Sequence, residues 1–201
     1  MESFILNQNE IKQLIDFFWL NEDQHHHTNG MQKLFVSPNW DQGLKDILGK
    51  YVSKKPIGDN FYRHVNPYLP HSDFHNQESY NVVIPLEVTH EQKFIVFDQK
   101  MISEGRTWTG NYDFKFESNS SISEPFYKCG IVEGLTNREI DQDLYKHIPH
   151  FDKDFYFGMS GTVYDWVPGH TIVFDSRHIH MTGKMSAEKY KLGLTLRIPK
   201  D

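Results

Sequence analysis

Six short runs constrain the chain more than any single residue does: "NFYRHVNPY", "SYNVVIPLEV", "KFIVFDQ", "FYFGMSGTVYDWV", "HTIVFDS" and "YKLGLTLRI". All are rich in β-branched and aromatic residues and are separated by turn-forming residues, the pattern of strands that close on one another rather than of helices. From about residue 59 onward the chain therefore reads as mainly β, a sandwich or a barrel. Before that point the period is helical. In "LNQNEIKQLIDFFWLNED", Asn7 and Glu10 fit a capping box, and Ile11, Leu14, Ile15, Phe18 and Trp19 fall on one face. A second helix is expected in "SPNWDQGLKDILGKYV", with Pro38 near its start and Trp40, Leu44, Ile47, Leu48 and Tyr51 on its stripe.

The reading is of one domain over 1–201, with 1–58 as helical support and 59–99 and 151–198 as the strands. The stretch 100–150 is a polar insert, long enough to serve as a lid over a substrate. Within it, Thr136 and Glu139 suggest a further capping box. The triplet His25, His26 and His27 lies in a polar segment and reads as an exposed loop. A length of 201 residues with 38% hydrophobic content supports one well-packed core. The formal net charge of −6, without a cluster of Lys and Arg, argues against a surface that tracks a nucleic-acid backbone. One cysteine excludes an intramolecular disulfide framework, and "MESFIL" has neither the basic nor the apolar region of a secretory signal. No apolar run approaches the roughly 20 residues that span a bilayer, so a soluble, cytoplasmic protein is expected.

The chemistry is concentrated in two places. In "PHSDFH", His71 and Asp73 are one residue apart, so that on a strand both would project to one face. Much later, "FDSRHIHMTG" offers His178 and His180. Two imidazoles and a carboxylate on one side of an ion leave its other positions open, as a non-haem Fe(II) oxygenase requires. Taken alone, a His-x-Asp pair is more often a surface turn.

These motifs, in this order, resemble the Fe(II)/2-oxoglutarate-dependent dioxygenases, whose core is a double-stranded β-helix, or jelly roll. The resemblance covers about 59–198 and implies a jelly-roll core braced by the N-terminal helices. It implies Fe(II) held by His71, Asp73 and His180, since the spacing after Phe174 in "WVPGHTIVFDSRHIHMTG" falls on His180, although His178 would share its face on an ideal strand. The family also supplies a cation for the distal carboxylate of 2-oxoglutarate on the following strand. Here "YKLGLTLRI" offers Lys191, at the family's usual offset, and Arg197, with Gly193 and Thr195 on the same face. Asn60 and Tyr62 resemble the Asn-x-Tyr that contacts 2-oxoglutarate in the branch that repairs alkylated nucleic acids. The implied cofactors are Fe(II), 2-oxoglutarate as co-substrate and O₂, and the implied activity is hydroxylation of a small molecule or an exposed peptide residue. Retention of Asp73 disfavours halogenation, for which the family gives up that carboxylate.

Several residues have plainer explanations. His64, His75 and His90 match no motif and read as surface or hydrogen-bonded histidines. Trp108, Trp166, Tyr112 and Phe114 could line a pocket but are by default core aromatics, Arg106 and Arg177 are by default solvated, and Cys129 is by default a small apolar residue. Two rival functions stand beside the hydroxylase: an oxidative demethylase of nucleic-acid bases, against which the acidic balance counts, and a metal-free jelly-roll binding module. Neither the substrate nor the oligomeric state is legible.

Overall fold

A computed structural model of the chain describes residues 1–28, 30–36, 40–73, 77–102, 132–149, 152–186 and 189–200. The N-terminal helix α1 spans Gln8–Leu20, and the expected capping box forms: the Asn7 side chain accepts from the Glu10 N–H, and the Glu10 carboxylate from the Asn7 N–H. Ile11, Leu14 and Phe18 fall on its buried stripe. The second helical segment is one π-helical stretch, Trp40–Leu44, running into α2, Lys45–Leu48. Glu10 ties the two together, because it pairs with Lys50 and accepts from the Tyr51 hydroxyl at 3.0 Å. Pro38 lies outside the described residues.

Among the described residues there are ten strands: β1 (His26–Thr28) and β2 (Met31–Phe35) between the two helical segments, then β3 (Gly58–His64), β4 (Ser79–Val88), β5 (Lys93–Met101), β6 (Val132–Glu133), β7 (Gly161–Asp165), β8 (Ile172–Asp175), β9 (His178–Thr182) and β10 (Lys191–Pro199). They make two antiparallel sheets. The larger has the order β1-β2-β3-β10-β4-β8; in the smaller, β5 lies between β7 and β9 and also pairs with β6. The protein is mainly β, with a jelly-roll core whose larger sheet carries the N-terminal helices on its outer face.

Alternation along β10 explains how one sheet serves two purposes. Leu192, Leu194, Leu196 and Ile198 point outward and join Leu34, Phe61, Val82, Ile84 and Leu86 beneath α1 and α2. Full burial of such side chains contributes about 1.5–3 kcal/mol each. Lys191, Gly193, Thr195 and Arg197 face the other way, aligned with His64, Tyr62, Asn60 and Gly58 of β3. An apolar layer of Phe94, Val96, Trp166, Ile172 and Phe174 fills much of the space between the sheets. A register shift at Leu192/Gly193 separates the pairing of β10 to Glu87 from that to Pro85, which lets a residue without an N–H occupy an otherwise regular strand.

Three expectations need correction. "FYFGMSGTVYDWV" is not one strand: Lys153–Tyr156 forms a 3₁₀ turn, Gly158 adopts φ +85°, and only Gly161–Asp165 is extended. Phe155, Tyr156 and Met159 seal the outer face of the smaller sheet instead. Thr136 and Glu139 do not cap a helix; Thr136 donates to the Gly158 carbonyl, Glu139 pairs with Lys153, and the short helix α3, Gln142–Tyr145, is capped by Asp141. The histidine triplet is not a loop, since His26 and His27 lie in β1 and His25 stacks on Phe18 at 4.1 Å. The neighbouring Asn-Gly pair is the hairpin signal that the polar composition obscured. Finally, of the insert 100–150, residues 103–131 and 150 lie outside the described residues, and with them Arg106, Trp108, Tyr112, Phe114 and Cys129.

Candidate metal centre

His71 and Asp73 follow β3 on a segment that the late strands hold in place. His71 exchanges two backbone hydrogen bonds with His180, at 3.1 and 2.8 Å, and the Asp73 N–H donates to the Ser176 carbonyl at 3.1 Å. His180 sits on β9 opposite Val96 and therefore points between the sheets. The ligand atoms of His71, Asp73 and His180 all lie within 4.8 Å of one another. His180 Nε2 is 3.3 Å from Asp73 Oδ2, and His71 Nε2 is 3.8 Å from Oδ1.

The orientation of the rings decides what the trio is suited to. His71 Nδ1 lies 2.8 Å from the Leu69 carbonyl and His180 Nδ1 lies 3.0 Å from the His178 carbonyl. A carbonyl only accepts, so each Nδ1 carries a proton and each ring turns its Nε2 inward. Burial, with His180 beside it, pushes the His71 imidazolium down to about 3, so that ring is neutral at ordinary pH. Burial opposes the Asp73 charge, but His180, His71 and Arg197 outweigh it and hold the carboxyl well below the usual carboxylate range. Two ring nitrogens thus converge on an ionised carboxylate. Cis ligands about 2.1 Å from one ion sit about 3 Å apart, so small shifts would close the trio on a cation. Together these residues form a set that can hold a metal ion.

Second-rank contacts fix Asp73. Asn81 Nδ2 donates to Oδ2 at 2.8 Å, and Arg197 Nη1 donates to the Asp73 carbonyl at 3.1 Å. Arg197 lies across Gly58, where a Cβ would fall 1.9 Å from Nη2; any larger residue would push the guanidinium away. Asn81 was not singled out from sequence, although a buried amide in the apolar run "SYNVVIPLEV" is a signal. We expect Asn81→Ala to lower metal affinity by roughly 10–100-fold, as for outer partners of other metal ligands. A chelator-competition titration checks this, and an unchanged affinity would show that Asp73 needs no such support. His178 stands apart from the trio, with Nδ1 at 2.7 Å from the Phe97 carbonyl. His75 lies outside the described residues, and Arg177 is not solvated but paired with Asp175 at 3.0 Å.

The other sequence-selected residues line the same space on β3 and β10. Lys191 is only 1% exposed, and its ammonium lies 4.0 Å from the Trp166 ring, 5.5 Å from Phe94 and 5.6 Å from Tyr62. Burial pulls it down to about 7. Among the described residues it has no ion pair. Tyr62 is hydrogen-bonded to Thr195, and burial raises its hydroxyl, which stays neutral. Asn60 is opposite Thr195 on the same face. Gly193 makes room for Trp166, because a Cβ there would lie 2.6 Å from the indole. Among the described residues, Trp166 Nε1, Asn81 Oδ1 and His64 Nδ1 are buried in this region without hydrogen-bond partners. Buried polar atoms without partners cost stability, so this space is suited to a polar guest.

No protein-family model matches the chain, and no curated protein matches it in sequence. Solved structures similar to it include a prolyl-4-hydroxylase from Pseudomonas putida, at 10% identity over 99% of this chain and 91% of that one, TM-score 0.45. The non-heme alpha ketoglutarate dependent epimerase SnoN from nogalamycin biosynthesis matches at 10% identity over 96% and 72%, TM-score 0.49. AviO1 from Streptomyces viridochromogenes Tue57 matches at 11% over 98% and 87%, TM-score 0.40. These likenesses concern the fold. Among the described residues no helix is long and apolar enough to cross a membrane.

Proposed function

We propose that this protein is a non-haem iron oxygenase that uses 2-oxoglutarate and O₂ to hydroxylate a small-molecule or peptide substrate. The observation that carries this reading is the inward turn of two imidazole Nε2 atoms and one carboxylate, in a cleft that also buries a lysine with no ion pair among the described residues. In this reading His71, Asp73 and His180 hold Fe(II), which when bound supplies open positions where 2-oxoglutarate and O₂ meet. The overall change balances as 2-oxoglutarate, O₂ and a C–H bond giving succinate, CO₂ and a C–OH group.

The chain's own residues do the positioning. Lys191 pairs with the distal carboxylate of 2-oxoglutarate, and the rings of Trp166, Phe94 and Tyr62 exclude water around that pair. Asn60 and Tyr62 supply neutral polar groups beside it. Arg197 and Asn81 keep Asp73 from rotating away, so Arg197 serves the carboxylate ligand rather than the co-substrate.

Anaerobic addition of Fe(II) and then 2-oxoglutarate is expected to raise a weak visible charge-transfer band. Admission of O₂ with candidate substrates should then release succinate. Absence of both the band and the succinate would remove the oxygenase reading and favour a metal-free binding module.

A further inference from the structure

Among the described residues, a second lysine of this cleft besides Lys191 has no ion pair. Lys33, on β2, lies opposite Tyr62, with its neighbour Leu34 directed into the core beneath the helices; Lys33 therefore faces the cleft. Its ammonium is 6.0 Å from the Tyr68 ring, and Tyr68 stands edge-on to His71 with ring centroids 4.7 Å apart. Among the described residues Lys33 makes no hydrogen bond or ion pair. Burial pulls its ammonium down, and the charge of Asp73 opposes that shift. Asp73 accepts from Asn81 and makes no ion pair with Lys33.

The two lysines cannot share one small anion easily. Strand β3 runs between β2 and β10, and Lys33 pairs with Tyr62 while Lys191 pairs with His64, so two strand spacings across and two residues along put their backbones about 12 Å apart. Tyr62 stands on that intervening strand, 5.6 Å from the Lys191 ammonium. A half-buried cation without a partner, beside a candidate metal ligand, is costly unless a guest supplies the opposite charge.

Building on the oxygenase reading, we propose that Lys33 docks an anionic group of the primary substrate, a carboxylate or a phosphate, on the His71 side of the metal. The substrate is then an acid or a phosphate ester rather than a neutral molecule, with its reacting C–H bond a short distance from that anionic end.

The test uses the full chain loaded with Zn(II) in place of Fe(II), with 2-oxoglutarate bound, and ligand-observed NMR titrations of benzoate, phenyl phosphate and benzamide. The expected result is that one or both anions bind about tenfold or more tightly than the amide, the better anion identifying the group. Lys33→Met should erase that preference while leaving 2-oxoglutarate affinity within about twofold, and Lys33→Arg should keep it. Equal binding of anions and amide, or a preference that survives Lys33→Met, would overturn the inference. So would a Lys33→Met protein that loses 2-oxoglutarate itself, which would make Lys33 the co-substrate anchor. Failure of the parent protein to take up Zn(II) and 2-oxoglutarate would instead bring down the oxygenase reading.

Discussion

Asp73→Ala is expected to abolish metal uptake, with affinity falling by more than the roughly 100-fold that loss of an outer partner can cost. The carboxylate is the charged member of the trio, and the two imidazoles converge on it from 3.3 and 3.8 Å. Without it, two imidazole rings remain, and Asn81 Nδ2 loses its acceptor. The loss should be local. His71 and His180 are tied by main-chain hydrogen bonds, and Asp73 by its N–H and carbonyl, none of which involves the carboxylate. Calorimetry with Fe(II) or Zn(II) should show no binding, while thermal unfolding stays cooperative. Tight metal binding by the variant would mean that other groups make the site.

Lys191→Met is expected to do two opposite things. It should weaken 2-oxoglutarate binding by about 2–5 kcal/mol, the usual cost of truncating one partner of a buried charge pair. It should also make the ligand-free protein more stable, by on the order of a few kcal/mol, because an ammonium buried among three rings has no counter-ion. The sign follows from linkage. The group lies near 10.5 unfolded and about 7 folded, so between those values the unfolded chain holds the extra proton and stability rises with pH. The burdened state is therefore the protonated one, and the stability gap between variant and parent should be widest at and below pH 7, closing toward pH 10. Denaturant titrations across that range check it. A gap independent of pH, or a destabilised variant, would show that the ammonium is not held at a cost. Binding of 2-oxoglutarate should also weaken above pH 7 in the parent, as the ammonium is lost.

Much of this arrangement was legible in the residues. The alternation in "YKLGLTLRI" places Lys191, Gly193, Thr195 and Arg197 on one face, and the pairing of β10 with β3 and β4 reproduces it residue by residue. "SYNVVIPLEV" spans the bounds of β4. What composition could not convey was long-range context. The β1–β2 hairpin is polar because it covers a sheet edge, so it carries no apolar alternation, yet it delivers Lys33. Arg197 and Lys191 were alternatives in sequence because a strand shows only which face a side chain takes. Their division depends on Gly58, far away in the chain, which leaves the guanidinium a place to lie and the Asp73 carbonyl within reach. Asn81 was passed over because its partner is visible only once Asp73 is folded over β4.

The order of strands has a consequence for how fast different parts of the cleft can move. Strand β10 is paired along both edges, with β3 and β4, and its backbone can open only with the sheet as a whole. Its amides should be among the slowest to exchange with solvent, close to the global unfolding limit. Strand β2 has only the three-residue β1 beyond it, and β1 can fray while Leu34 stays in the core. Lys191 is thus carried by a strand held on both sides by long partners and Lys33 by one with a short outer neighbour, so the wall of the cleft that bears Lys191 should be the stiffer of the two.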